Sequence, residues 1–204
     1  MKAIKDGTLL LWGFLLSGLT IGCATPTRQV PQFPVPEYYT TLGDIYASRD
    51  MNEKAVREYK RALEINPSYK IAQENLGKLY REQGKLEDSI SELEKTIKLA
   101  PRFTYAHTQL CATLGKIRKF EKAIKACKRA IEINPRFIDA YGTLSIVYWE
   151  TGRPEDAITV LKEVLEINPN HLRTHSELAR IYDHQGRTVD AKEHLRIIVE
   201  LKKR

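Results

Sequence analysis

Four Xaa-Pro pairs, Asn66-Pro67, Ala100-Pro101, Asn134-Pro135 and Asn168-Pro169, stand 34 residues apart with no insertion between them. A fixed period of that length means one supersecondary unit used repeatedly, each unit too small to bury its own apolar face and each covering its neighbour's. Aligned on the prolines, the chain divides into blocks 36–69, 70–103, 104–137, 138–171 and 172–204. Apolar residues fall at positions 4, 7 and 11 of a block with a small residue at 8, as in Tyr141, Leu144, Ser145 and Tyr148. That spacing is one stripe of an α-helix. Gly84, Gly152 and Gly186 follow, where a left-handed residue ends a helix at little cost, and Pro154 then opens the next helix, where its missing N–H is not needed. Ala157, Leu161 and Val164 make the facing stripe. The expectation is an all-α chain of about ten helices, two to a block.

The first block reads Tyr39-x2-Leu42-Gly43-x2-Tyr46, then Ala55-x3-Tyr59, then Pro67. This resembles the tetratricopeptide pattern nearly position for position, and the resemblance runs from Pro36 to the C-terminus. It implies a solenoid, a right-handed superhelix of five helix-turn-helix repeats whose concave wall is built from the first helix of each. Some positions depart from the pattern. Gln73, His107 and His175 replace the first aromatic, and Ser89 stands where alanine is usual. The last block closes on Lys202-Lys203-Arg204 without an extra capping helix, so the outer face of its second helix must be solvated or paired. Lys192, Glu193 and Arg196 point to solvation, while His194 and Ile197 leave room for a contact.

The first 22 residues belong to another class. Lys2 and Lys5 precede an uncharged, Leu-rich run from Thr8 to Ile21, and Gly22-Cys23 follows. A charged start, a short apolar core and a small residue before the cut describe a secretory signal. Leu19-Thr20-Ile21-Gly22-Cys23 resembles the lipobox of bacterial lipoproteins, with leucine four places before the cysteine where three is commonest. The resemblance implies removal of residues 1–22 and lipidation of Cys23; Ala24 after the cysteine favours the periplasmic side of the outer membrane over the inner one. An uncleaved membrane anchor is the alternative, and the run is short for the ~20 residues a span needs. Residues 23–35 then form a linker rich in proline (Pro26, Pro31 and Pro34, with Pro36 just beyond), able to hold the domain up to ~40 Å from the lipid.

Catalytic chemistry is not legible. His171 and His175 are four apart, but His171 falls in an inter-repeat turn, and no carboxylate or cysteine completes a metal set. No Gly-rich phosphate loop occurs and no Ser or Cys is set beside a base in a known motif. The expectation is therefore no enzyme, no cofactor, no metal and no small-molecule substrate. Nucleic acid is not expected as a partner for an exported chain. The whole chain carries +7, which suits an anionic membrane surface or an acidic protein.

Charge is uneven along the solenoid. Block 104–137 has eight basic and two acidic residues, and block 138–171 two basic and six acidic. Lys122, Lys125 and Arg129 share one face of a helix, opposite Ala123, Cys127 and Ala130. A solvated outer face and a convex basic patch are both open readings. Positions 2, 5, 9 and 12 of each first helix lie roughly 130° around from its core stripe. In the tetratricopeptide family they line the concave face. Here they give a candidate partner-binding groove of Ile71, Lys78, Arg81, Tyr105, Ile146, Trp149 and Arg180. Trp149 is expected to be its main anchor, the alternative being an aromatic partly buried between repeats. The lysine–asparagine clamp of some family members is not reproduced: Asp44 stands where its first asparagine would fall, and only Asn75 fits. Cys111 and Cys127, at positions 8 and 24 of one block, face one another across a hairpin. They form either a disulfide or two buried thiols.

Together these features imply a lipid-anchored scaffold that binds envelope proteins or their peptide segments. A lipoprotein built of such repeats looks like the pilotins of type IV pili, which assist secretin assembly, although those usually carry six repeats. Alternatives are an adaptor for peptidoglycan or protease complexes and an accessory subunit of a secreted redox system.

Overall fold

The structure, a computed structural model, describes residues 35–203; Cys23 and the lipobox-like segment lie outside them. Ten α-helices occupy the described residues: α1 (Pro36–Ala47), α2 (Asn52–Ile65), α3 (Lys70–Glu82), α4 (Leu86–Leu99), α5 (Thr104–Lys116), α6 (Phe120–Ile133), α7 (Ile138–Glu150), α8 (Pro154–Ile167), α9 (Leu172–His184) and α10 (Thr188–Leu201). Each 34-residue block holds one hairpin, and no strand occurs among the described residues. Each helix packs on the next in sequence, and α1, α3, α5 and α7 also touch one another in series. These four helices thereby form one continuous wall.

The hairpin turns share one geometry. Position 15 is left-handed in all five blocks, with φ of 56° at Asp50, 67° at Gly84, 60° at Arg118, 70° at Gly152 and 73° at Gly186. The next N–H then reaches back five residues, as from Lys119 to the Leu114 carbonyl and from Arg153 to that of Tyr148, both 2.9 Å. This pairing occupies carbonyls that the helix end leaves free. Glycine marks three of these turns in the sequence; at Asp50 and Arg118 the same backbone is imposed on a residue with a Cβ.

The turns between hairpins explain the Asn-Pro pairs. Asn66, Asn134 and Asn168 accept, through their side-chain oxygens, the N–H two residues on at 3.0, 3.1 and 3.1 Å, an Asx-type turn. The proline carbonyl is then taken by position 4 of the next block. His107 Nε2 donates to Pro101 O at 3.0 Å, the Tyr141 hydroxyl to Pro135 O at 2.9 Å, and His175 Nε2 to Pro169 O at 2.9 Å. Both histidines that depart from the family pattern thus do what Tyr141 does: a flat ring fills the interior while its polar edge satisfies the turn. Gln73 does not follow them. It is buried, and its Oε1 accepts from the Thr96 hydroxyl at 3.0 Å.

That polar pair sits at a break in the core. One apolar cluster is centred on α2 and α3, with Ala55, Tyr59, Ala62 and Leu76; another runs from α5 to α10, with Leu144, Leu161, Val164 and Leu178. Between them lies α4, whose buried residues are Ser89, Leu93 and Thr96, with Thr96 bonded to the buried Gln73 of α3. In the first hairpin, positions 8 and 24 oppose one another, Gly43 lying against the Tyr59 ring. In the third hairpin both are cysteines. Cys111 of α5 and Cys127 of α6 are joined by a disulfide with Cα atoms 5.3 Å apart, within the range a disulfide spans.

Candidate functional site

The wall of first helices carries a hollow of about 180 Å³ between α5, α7 and α9. Tyr105, Thr108 and Gln109 line it from α5, Asp139, Gly142, Thr143 and Ile146 from α7, and Arg173 and Glu177 from α9. Its depth comes from Gly142. A Cβ built there would meet nothing within 4 Å, so glycine is not demanded by crowding, and its missing side chain leaves the floor open. Ile146 is 40% exposed beside it. The mouth is mixed in charge, with Asp139 and Glu177 facing Arg173. Such a recess, with Leu161 beside the buried Thr108 and Thr174 at its base and both signs of charge at its rim, can seat one side chain and orient the polar groups around it.

Tyr105 is held on the hollow's edge. Its ring packs obliquely against Phe103 at 6.0 Å, and the Lys70 ammonium lies 5.3 Å from its centroid. Burial pushes its hydroxyl pKa up, and the Glu74 carboxylate adds to the shift; the phenol stays protonated, a donor as well as an acceptor.

The structure divides the sequence-derived groove residues into three groups. Tyr105 and Ile146 line the hollow. Ile71, Lys78 and Arg81 stand on α3, where Ile71 is 50% exposed, Lys78 pairs with Glu82 at 3.8 Å and Arg81 reaches Gln109 of α5 at 3.4 Å. Trp149 and Arg180 form the third group, away from the hollow's lining. Trp149 is half-buried against the core, edge-on to His184 at 4.8 Å, and the Arg180 guanidinium lies 5.1 Å from its ring centroid. Arg180 also holds Glu177 at 2.9 Å. Trp149 is thus packed between the fourth and fifth hairpins and does not stand free in a groove. Gln109, Thr143 and Glu177, all at position 6 of their helices, also line the hollow and fall outside the positions that angular spacing selects. On the first helices the hollow falls mainly at positions 2, 5, 6 and 9, a strip turned slightly from the one that angular spacing selects.

At the other end of the wall the clamp-like positions are satisfied internally. Asp44 accepts from the Tyr59 hydroxyl and from the Asn75 amide, each at 2.8 Å, so both residues at the clamp-like positions are tied to each other. Among the described residues no group of three or more His, Cys, Asp or Glu could hold a metal ion, and no described helix is long and apolar enough to cross a membrane.

With this geometry in hand, known proteins supply the family. Tetratricopeptide-repeat family models match residues 43–80, 72–103, 118–173 and 148–203, which together exceed half of the chain. Among solved structures the chain is similar to a MamA protein (27% identity over 82% of this chain and 92% of that one, TM-score 0.64). It also shares its fold with the Pseudomonas aeruginosa pilF protein (20% identity, 81% and 75% covered, TM-score 0.65). A third is YrrB, described as a repeat protein with an unusual peptide-binding site (20% identity, 81% and 85% covered, TM-score 0.58). No curated protein sequence matches the chain. Five stacked helical hairpins on a 34-residue period, matched along most of their length by repeat models, make this chain a member of the tetratricopeptide repeat family.

Proposed function

We propose that this protein is a lipid-anchored scaffold of the bacterial envelope, and that the hollow between α5, α7 and α9 receives a peptide segment of its partner. The observation that carries the reading is the recess itself: Gly142 opens it, and Tyr105 and Ile146 present apolar surface beside Asp139, Arg173 and Glu177. A wall already formed by stacked repeats loses little conformational freedom on binding, so one anchored side chain can dominate affinity. The recess lining includes one hydroxyl–imidazole contact, Thr174 Oγ1 with His171 Nδ1 at 2.7 Å, but Thr174 is only 3% exposed and poorly placed to attack a ligand, which favours binding over catalysis.

Gly142→Leu tests the site. The added side chain enters open space, replaces a helix-interior glycine, and is expected to leave or raise the melting temperature while weakening partner capture about tenfold or more. Unchanged capture by the folded variant would place the partner elsewhere.

The envelope location rests on Leu19-Thr20-Ile21-Gly22-Cys23 and the proline-rich stretch after it. Metabolic palmitate labelling is expected in the natural chain and lost in Cys23→Ser; persistent labelling would remove this part of the reading. Its more specific form is a pilotin-like role, supported by a lipobox-like start joined to a chain composed of repeats. Deleting the gene should then deplete assembled secretin in the outer membrane, and normal secretin multimers in the deletion strain would exclude that role.

A further inference from the structure

The convex side of the solenoid carries a second recess, a cleft of about 440 Å³ between α4 and α6 with α5 as its floor. Its cause lies in two missing volumes. Position 11 is tyrosine in the other four hairpins (Tyr46, Tyr80, Tyr148 and Tyr182) but Leu114 in the third. Position 23 is Glu58, Glu92, Val160 or His194 elsewhere, and Ala126 here. In the fifth hairpin these two positions fill each other's space, with the Tyr182 ring stacked on His194 at 5.6 Å. In the third, the corresponding space is open and lined by His107, Leu110, Leu114 and Ala126, with Ile90 and Ile97 opposite on α4.

The rim is as particular as the floor. Lys119, Lys122 and Lys125 stand along it on the α6 side. Among the described residues none of these three forms a salt bridge, nor do Lys116, Arg118 and Lys128, while Arg129 is neutralised by Glu132 at 2.9 Å. The α4 side bears Glu94. Unpaired lysines beside a largely apolar cleft are what an acidic, amphipathic partner would complete. Ile90 to Ile97 spans about 10 Å, or two helical turns, enough for apolar side chains at i and i+3 or i+4 but too short for an extended protein surface.

We infer that this cleft is a second docking site, on the face opposite the hollow, for an amphipathic helix of a partner protein. Two apolar side chains enter between α4 and α6, and carboxylates on one flank meet Lys119, Lys122 and Lys125. Glu94 sets the polarity, since an acidic residue on the other flank would face a like charge. The site does not depend on the concave-face reading, and the two fail separately.

The test uses the full chain and a synthetic helical peptide of three to four turns, with leucine at i, i+3, i+4 and i+7 and glutamate on the flank. A control peptide carries lysine in place of glutamate. Leu114→Tyr combined with Ala126→Val restores the side chains that α7 and α8 hold at the same register, Tyr148 and Val160, both buried there. It therefore fills the cleft without altering charge or removing core. The acidic peptide is expected to bind one-to-one, about tenfold more weakly to the filled variant, more weakly to Lys122→Glu/Lys125→Glu, and more weakly as salt rises. Gly142→Leu should bind it unchanged. Equal binding by the filled variant, or equal binding of the lysine peptide, would overturn the proposal. So would capture of vesicles of equal parts phosphatidylglycerol and phosphatidylcholine with no peptide binding, which would make this face a membrane contact.

Discussion

Gly43 lies directly beneath the Tyr59 ring, so that a Cβ at Gly43 would come 2.5 Å from Tyr59 Cε1. The ring cannot swing aside, because it is buried and its hydroxyl donates to Asp44 at 2.8 Å. Gly43→Ala should thus destabilise the protein although alanine favours helix by about 1 kcal/mol; overpacking of this kind costs about 1–3 kcal/mol. A lower urea midpoint with an unchanged slope is the expected result. The same change at Gly142, where nothing crowds the added carbon, should not lower it.

The Cys111–Cys127 disulfide closes a loop with a sequence separation of 16 residues. Closing a loop of that size is worth about 3 kcal/mol. Non-reduced, alkylated protein should show both cysteines blocked by mass spectrometry, and reduction should lower the melting temperature; two alkylated thiols would mean that the hairpin holds without the bond.

Much of this architecture can be read in the chain, and the exceptions have physical causes. The 34-residue period and the stripes at positions 4, 7 and 11 give the hairpins because burial follows helical spacing, as at Tyr141, Leu144 and Tyr148. Position 15 is transparent where it is glycine and opaque at Asp50 and Arg118, because their strain is outweighed by the packing on either side. The hollow is only half legible. Tyr105 and Ile146 follow from angle alone, but Gln109, Thr143 and Glu177 face it because neighbouring hairpins are rotated with respect to one another, and one sequence does not reveal that rotation. The position of Trp149 in its helix predicts a place in the groove. His184 and Arg180 of the next hairpin cover the Trp149 ring, a contact between blocks that the pattern inside one block does not encode.

Arg118 offers a stabilising change. Its φ of 60° is one that glycine adopts freely and a residue with a Cβ resists by about 1–2 kcal/mol. Its side chain lies over the Phe120 ring at 5.3 Å, an exposed contact that recovers only part of this. Arg118→Gly is expected to raise the melting temperature by a few degrees in a calorimetric scan. A fall would mean that the contact with Phe120 outweighs the backbone strain.

His175 and His194 face each other at 2.8 Å between Nδ1 atoms. His175 Nε2 must carry its hydrogen to donate to Pro169 O, so His175 Nδ1 accepts and His194 Nδ1 donates. A further proton belongs on His194, whose pKa is held below the usual histidine value by burial and then by His175, with Lys162 adding and Asp190 and Glu193 opposing. A histidine depressed in the folded state contributes stability that is present above its unfolded pKa and lost as the pH falls below it. The melting temperature should therefore decline as the pH falls below the unfolded histidine value of ~6.5. His194→Gln keeps a donor for His175 but does not titrate, so its decline should be shallower. An identical slope in the two proteins would place the titration elsewhere.

Trp149 and Ile146 stand one turn apart on α7 and should separate packing from recognition. Trp149 is half-buried against the core, with His184 edge-on and the Arg180 guanidinium over its ring. Trp149→Ala removes that junction between the fourth and fifth hairpins and should cost about 1–3 kcal/mol, from lost apolar burial and a lost cation–π contact. Ile146 is 40% exposed and lines the hollow, so Ile146→Ala should cost about 1 kcal/mol or less. Partner affinity per folded molecule should show the reverse order: about tenfold weaker for Ile146→Ala, through loss of the apolar wall that a seated side chain would touch, and nearly unchanged for Trp149→Ala. Measuring both variants by denaturant titration and by equilibrium binding at a temperature where each is folded decides the matter. If Trp149→Ala loses affinity while Ile146→Ala keeps it, the partner binds over the α7–α9 junction and not in the hollow.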